Sequence, residues 1–193
     1  SRLPLRLRAH PSMPTPSDPS LRLELVEPHH AAELQPLAED PEVGATTNLP
    51  VPYPADGAES FIRESMTKRA NGLEYTFAIV HDQRVIGVCG LLDVGGTPIS
   101  AELGYWIGRP FWGHGYATSA ATLAIAFAFS ELDAVHLRAS SLDRNVASRR
   151  VLEKLGFSLL GYGARPNAKW TEDDLFANFE LEREDWLSRH RAR

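Results

Sequence analysis

A strand, a glycine loop and an almost wholly apolar helix follow one another over residues 99–129, and this stretch limits the fold more than any other. Ile99 to Ile107 reads as a strand, and Thr118 to Phe129 as an alanine-rich helix with few charges. A helix that is apolar nearly all round has to be buried, so this one must lie against a sheet. Between the two stand Gly113 and Gly115, in Trp112-Gly113-His114-Gly115-Tyr116-Ala117. Glycine admits positive φ and lets the backbone come close to a ligand. The first N–H groups of a helix lack intrahelical acceptors, and the macrodipole adds roughly half a positive charge there. The loop is therefore an anion site that needs no lysine and suits the pyrophosphate of a nucleotide-like cofactor. Taken alone, the segment is equally a plain strand-to-helix turn. A Walker loop would need Gly-Lys-Ser/Thr, and a dinucleotide fingerprint a third glycine where Thr118 stands. Neither fits.

The flanking sequence supplies the rest of the sheet. Leu21 to Val26 alternates as a strand does, and Pro28 opens a helix with Ala31, Ala32, Leu34 and Leu37 on its apolar side. Residues 40–56 form a long Pro-, Gly- and Thr-rich loop of the kind that is functional or mobile. Asp56 is placed to cap a helix carrying Ala58, Phe61, Ile62, Ser65 and Met66, which ends at Asn71-Gly72. Tyr75 to Val80 and Arg84 to Leu92 read as a hairpin, and Ala134 to Ser140 as a further strand. Asn145 to Leu155 is an amphipathic helix closed by Gly156, and strands at Phe157 to Tyr162 and Leu175 to Leu181 complete the pattern. The expected fold is one α/β (α+β) domain over residues 21–187, a mixed sheet of about seven strands flanked by about four helices. Residues 1–20, with five prolines, read as an irregular arm and an upstream extension ahead of Met13; residues 188–193 read as a basic tail.

Composition narrows the function classes. No apolar run reaches the length needed to span a bilayer, so no membrane partner is expected. The net charge of −5 argues against a nucleic-acid partner. Cys89, the single cysteine, excludes an internal disulfide and fits a reducing, cytoplasmic compartment. His29-His30 invites a metal, but adjacent helical histidines are expected to point apart and no further ligand has suitable spacing. No metal is predicted.

Four blocks carry a family resemblance: Glu102-Leu-Gly-Tyr-Trp-Ile107, Pro110-Phe-Trp-Gly-His-Gly-Tyr-Ala-Thr118, Asn145-Val-Ala-Ser148 and Arg150-Val-Leu-Glu-Lys-Leu-Gly-Phe157. In this order and spacing they resemble the GNAT (GCN5-related N-acetyltransferase) superfamily, most closely its RimJ/RimL-like branch, from about residue 20 to 183. Trp112 stands where the superfamily loop often has Gln or Arg, as is common in this branch.

The resemblance implies acetyl-CoA as co-substrate, held where two parallel strands, Ile99–Ile107 and Ala134–Ser140, splay apart. Tyr105, Trp106 and Ile107 would then run beside the pantetheine arm. Trp112, Gly113, His114, Gly115, Tyr116, Ala117 and Thr118 would form the pyrophosphate loop. Asn145 resembles a pantetheine contact, or else an N-cap. Ser148 resembles the thiol proton donor, or else a serine bonded to its own backbone. Arg150, with Arg149 and Lys154, offers a cation for the 3′-phosphate. Glu102 is the candidate base, directly or through water, with an edge salt bridge as the alternative. His136 and Arg138 share a face that lines the acceptor side or serves structure.

A protein N-terminal α-amine is the favoured acceptor. Deprotonation at pH 7 costs about 1–1.4 kcal/mol for a chain terminus and roughly 4.6 kcal/mol for lysine. A small-molecule amine acceptor and a non-catalytic acyl-CoA-binding module are the other readings. Cys89 lies in an apolar strand with no adjacent base, so an acetyl-enzyme is not expected. The chain acts as a monomer or homodimer on this reading.

Overall fold

The protein is described by a computed structural model covering residues 19–191. The expected arm at 1–20 falls almost wholly outside the described residues. A single seven-stranded mixed sheet has the order β1-β2-β3-β4-β5-β7-β6. Its strands are β1 (Leu21–Leu25), β2 (Tyr75–His81), β3 (Arg84–Gly95), β4 (Ser100–Ile107), β5 (His136–Leu142), β6 (Ser158–Ala164) and β7 (Leu175–Glu182). All neighbours are antiparallel except β4 and β5. Six helices accompany the sheet: α1 (Ala31–Ala38), α2 (Pro41–Gly44), α3 (Gly57–Ala70), α4 (Tyr116–Glu131), α5 (Val146–Leu155) and α6 (Arg183–Arg191).

The predicted apolar helix is α4, and it is the centre of the molecule. Ala120, Ala121, Ala124, Ile125 and Ala128 are wholly buried. Its small side chains let it lie close to β1, β3 and β4, inside a cluster that takes in Phe77, Ile86, Leu103, Leu137, Phe179 and Trp186. On the opposite sheet face α1 and α3 cover β2 and β3 through Leu34, Ala58, Ile62, Val80 and Val88.

Several local expectations resolve differently in three dimensions. Asp56 does not cap α3; its carboxylate accepts from the Ser60 hydroxyl at 3.2 Å. The Ala58 N–H that it would have served is taken by Gln35 Oε1 of α1 at 2.9 Å. The hairpin between β2 and β3 turns on Asp82 and Gln83, with φ of 47° and 67°, as a two-residue connection requires. Within the 40–56 loop, Asp40 accepts from Glu42 N–H and Pro41 follows it, which suffices for the short α2. At the other end α6 runs through position 188, anchored by Trp186 against Phe129 at 6.4 Å between rings.

Candidate active site

The parallel pairing of β4 with β5 runs from Ser100↔His136 to Leu103↔Ala139 and stops. Both strands continue, β4 to Ile107 and β5 to Leu142, so they diverge into a V. On its β3 side β4 stays paired from Glu102 to Ile107, and Gly108 N–H follows on Ile86 O at 2.8 Å. Antiparallel alternation then turns the backbone groups of Tyr105 and Ile107 into the V and those of Trp106 toward β3. The Trp106 side chain packs in the cluster under α1 and α3. Trp106 therefore supports the strand from behind, while Tyr105 and Ile107 face the opening.

At the end of β4 lies the glycine loop. Gly113 and Gly115 have φ of 81° and 82°, and a Cβ on either would strain the backbone although it would meet open space. Trp112, half exposed, is pinned by its indole N–H on Ile107 O at 2.7 Å. Among the described residues, no backbone carbonyl accepts from the N–H groups of Gly113 through Thr118. The row of free amides at the mouth of the buried α4 has the backbone geometry that an anion site at this loop requires. His114 is exposed, stacked on Tyr116 at 5.5 Å, and its Nδ1 lies 3.3 Å from Phe111 O.

Across the V, Asn145 caps α5: its Oδ1 accepts from Ser148 N–H at 3.1 Å. The capping reading thus describes its oxygen, and its amide nitrogen has no partner among the described residues. The Ser148 hydroxyl lies 3.0 Å from the Tyr105 hydroxyl, which also reaches Ser148 O at 3.3 Å. Burial pushes the Tyr105 phenol well above its ordinary range, so it remains a neutral donor. Of the α5 cations, Arg149 is engaged with Asp143 at 2.6 Å and lies over Tyr162. Arg150 and Lys154 are exposed and make no ion pair among the described residues.

Glu102 opens onto the other sheet face, where a pocket of about 160 Å³ is lined by Glu102, Arg138, Ala139, Leu160, Arg165, Asn178 and Phe179. Arg165, from the β6–β7 connection, donates to both carboxylate oxygens of Glu102 at 2.6 and 2.9 Å. The Ser140 hydroxyl donates to Glu102 at 3.3 Å and is itself met by Arg165. Burial pushes the Glu102 carboxyl up, but the bonds and charge of Arg165, with Ser140 and Arg138, more than offset it and hold the carboxyl below its ordinary value. Glu102 is therefore a paired carboxylate, as the salt-bridge alternative described it, though within a pocket and not at an edge. Arg138 is exposed in the same pocket, and His136 turns toward Glu180 at 3.8 Å.

The 40–56 loop closes over this face. The Lys169 ammonium donates to the carbonyls of Gly44, Thr47 and Leu49, which uses all three of its N–H bonds. The neighbouring Trp170 donates to Asn48 Oδ1 at 2.7 Å, and Arg144 links Asp174 to Ala45 O. Asp40 comes within 4.0 Å of Arg109, just beyond β4. Residues 40–49 thus reach from the end of β4 to the end of β5. Sequence reasoning missed Arg165, Ser140, Lys169 and the side chain of Tyr105. Only the alternation that sets Tyr105 and Glu102 on opposite faces was there to be read; the loop residues gave no signal.

Cys89 is fully buried, with its thiol pushed up by burial to about 12. The His29 and His30 rings, expected to point apart, lie 3.9 Å from one another with Glu24 beside them. However, His30 Nδ1 accepts from Glu27 N–H at 3.0 Å and Nε2 meets Glu24 at 3.3 Å, so both ring nitrogens are engaged. Burial depresses the His30 pKa, which makes the Glu24 contact a hydrogen bond from a neutral ring.

A family model described as an acetyltransferase (GNAT) domain matches residues 20–158. The chain belongs to the GNAT acetyltransferases, and it is an acetyl-CoA-dependent N-acetyltransferase of that type. It is similar to the probable N-acetyltransferase YjcK of Bacillus subtilis (strain 168), 33% identical over 132 residues, or 65% of this chain and 72% of that protein. Its fold is similar to that of Mycobacterium smegmatis RimJ in complex with CoA-disulfide, at TM-score 0.76, 20% identity and coverage of 89% and 88% of the two chains. The spermidine N-acetyltransferase of Vibrio cholerae, solved with CoA and spermine, gives TM-score 0.76 at 16% identity over 88% of this chain and 99% of that one. No helix among the described residues is long and apolar enough to cross a membrane.

Proposed function

We propose that the chain transfers the acetyl group of acetyl-CoA directly to a primary amine, with a protein or peptide N-terminal α-amine as the favoured acceptor. The observation that carries the reading is the two-sided V. One arm presents the backbone of Tyr105 and Ile107 and leads to the free amides of Gly113–Thr118; the other face opens on Glu102. In this reading the amides of Gly113, His114, Gly115, Tyr116, Ala117 and Thr118 hold the pyrophosphate. Asn145 donates to the pantetheine through its amide nitrogen, and Arg150 meets a phosphate.

The reaction needs an amine lone pair, an oxyanion donor and a proton for the thiolate. Glu102 takes a proton from the acceptor ammonium, directly or through water, and the nitrogen lone pair attacks the thioester carbonyl. A backbone N–H on the diverging part of β4 faces the resulting oxyanion. As the C–S bond breaks, Ser148 gives its proton to the thiolate, the Tyr105 hydroxyl steadies the serine oxygen across 3.0 Å, and solvent returns a proton to Ser148. The second proton leaves the new amide nitrogen to solvent. An acetyl-Cys89 step has no support in a thiol that is fully buried and un-ionised.

The test is thermal shift with acetyl-CoA, followed by mass spectrometry of a peptide and amine library. Acetyl-CoA is expected to raise Tm in the wild type. Gly115→Val is expected to abolish that shift while costing about 1–3 kcal/mol of stability, because a β-branched residue is strained at φ of 82°. Absence of any shift at millimolar acetyl-CoA in the wild type would overturn the reading. Acetylation confined to small amines would move the acceptor assignment away from chain termini.

A further inference from the structure

We propose that Arg165 is a built-in stand-in for the acceptor: its guanidinium occupies the ammonium seat formed by Glu102 and Ser140, and the incoming amine displaces it toward Asp93. The inference rests on the acceptor reading above, and it concerns what happens at that seat before chemistry.

The seat has the chemistry of a cation site. Glu102 supplies two carboxylate oxygens from β4, and Ser140 supplies a hydroxyl from β5. The two strands stop pairing at Leu103↔Ala139, so the seat lies at the apex of the V, beside the opening that takes the thioester. A primary ammonium has three N–H donors, enough for the carboxylate and the hydroxyl together. The guanidinium already meets both groups in that way.

Arg165 and base catalysis oppose each other as the groups stand. A fork-on-fork pair engages both oxygens of the carboxylate, and Ser140 adds a third bond. With Arg165 docked, its charge and bonds keep Glu102 a weak base toward the acceptor's proton. The two partners also differ in how firmly they are held. Glu102 belongs to a central strand and its side chain is 18% exposed, whereas Arg165 lies on a connecting loop and is 41% exposed. The guanidinium, on its loop, can reach solvent or another carboxylate, whereas Glu102 is fixed to its strand. The cation is therefore the partner that moves.

A second carboxylate waits for it. Asp93 follows Leu92, the cross-strand partner of Glu102, and its charge already acts on Arg165. Asp93 makes no ion pair of its own among the described residues. The charged groups around the seat are Glu102 on β4, Arg138 on β5, Arg165 on the β6–β7 connection, Asp93 on β3 and Glu180 on β7, the partner of Arg138 in register. Moving Arg165 to Asp93 removes the strongest cation from Glu102 and leaves its burial offset only by Ser140 and Arg138. The carboxylate becomes more basic only once the acceptor is seated. Proton transfer from ammonium nitrogen to carboxylate oxygen then frees the lone pair, and no other reactant is required.

The experiment compares wild type with Arg165→Ala, Arg165→Lys and Asp93→Asn, using an acceptor peptide for kinetics and methylammonium chloride as a binding probe. Arg165→Ala is expected to lower KM for the amine by about three- to fivefold, the competition a partly exposed ion pair exerts. It is also expected to move the acidic limb of the kcat/KM profile to higher pH, and Arg165→Lys to return both toward wild type. Asp93→Asn should raise KM for the amine. In 15N-labelled wild type, the Arg165 Nε–H resonance, assigned by its loss in Arg165→Ala, should shift with methylammonium and not with sodium chloride at equal ionic strength. A resonance that stays put at saturating methylammonium overturns the proposal, as does an Arg165→Ala variant with raised KM and an unmoved acidic limb. If wild type acetylates no amine while the resonance still shifts, the seat stands and the catalytic reading fails.

Discussion

Tyr105 and Ser148 reach each other from different elements, one on a strand and one on a helix, and their hydroxyls meet at 3.0 Å. The contact gives Ser148 something its sequence position alone does not, a second donor behind it. Ser148→Ala is expected to lower kcat on the order of 10²-fold, the lower end for a lost general acid, without changing KM for acetyl-CoA. The helix should survive, because the Asn145 cap engages the Ser148 backbone N–H and not its hydroxyl. Tyr105→Phe should give a smaller fall in kcat of the same kind, since Ser148 can still deliver one proton. Steady-state kinetics with circular dichroism on both variants would check this; an unchanged kcat in Ser148→Ala removes the donor role.

At the scale of elements, two loops that the sequence marks only as irregular are tied together beyond the end of β5. Residues 40–49 and the β6–β7 connection are joined by Lys169, Trp170 and Arg144, and the joint draws three backbone carbonyls onto one ammonium. Burial, with the nearby charge of Arg144, depresses the Lys169 pKa, yet its three carbonyl partners suit the charged form. Lys169→Met keeps much of the stem and leaves those carbonyls unpaired, so a loss of about 1–3 kcal/mol is expected in urea unfolding. KM for the amine should rise, while the acetyl-CoA thermal shift stays as in wild type. A variant that loses acetyl-CoA binding as well would mean that the clasp supports the whole V. The short α2 was legible only in hindsight, through Asp40 and Pro41, because four residues carry no period.

For the molecule as a whole, the least expected contribution comes from α6. Its charged sequence has no apolar stripe, yet Trp186 is 2% exposed in the main core and Arg189 lies over Gly156 at the end of α5. The Trp186 indole N–H has no partner among the described residues. Trp186→Ala is expected to cost about 3–5 kcal/mol. Trp186→Phe should cost less than about 1.5 kcal/mol, because it keeps a ring against Phe129 and removes an unpartnered donor. Urea unfolding of the pair separates the two terms, and equal losses would mean that the N–H is satisfied in solution.

The sequence alone determined the parts whose cause is local. Apolar α4 had to be buried, Gly113 and Gly115 allowed the positive φ of the turn ahead of it, Gly156 had to close α5, and alternation had to set Glu102 and Tyr105 on opposite faces of one strand. It also held the family, through blocks spaced along residues 102–157. What surrounds Glu102 was decided by the tertiary structure. Arg165 is 63 residues away in the chain, and its pairing with Glu102 depends on how the β6–β7 connection crosses the sheet. No pattern within a strand or helix records such a meeting, because the energy that fixes it belongs to the packed sheet and not to any segment. The glycine loop takes its shape from local backbone geometry, whereas the surroundings of Glu102 exist only after distant loops have come together.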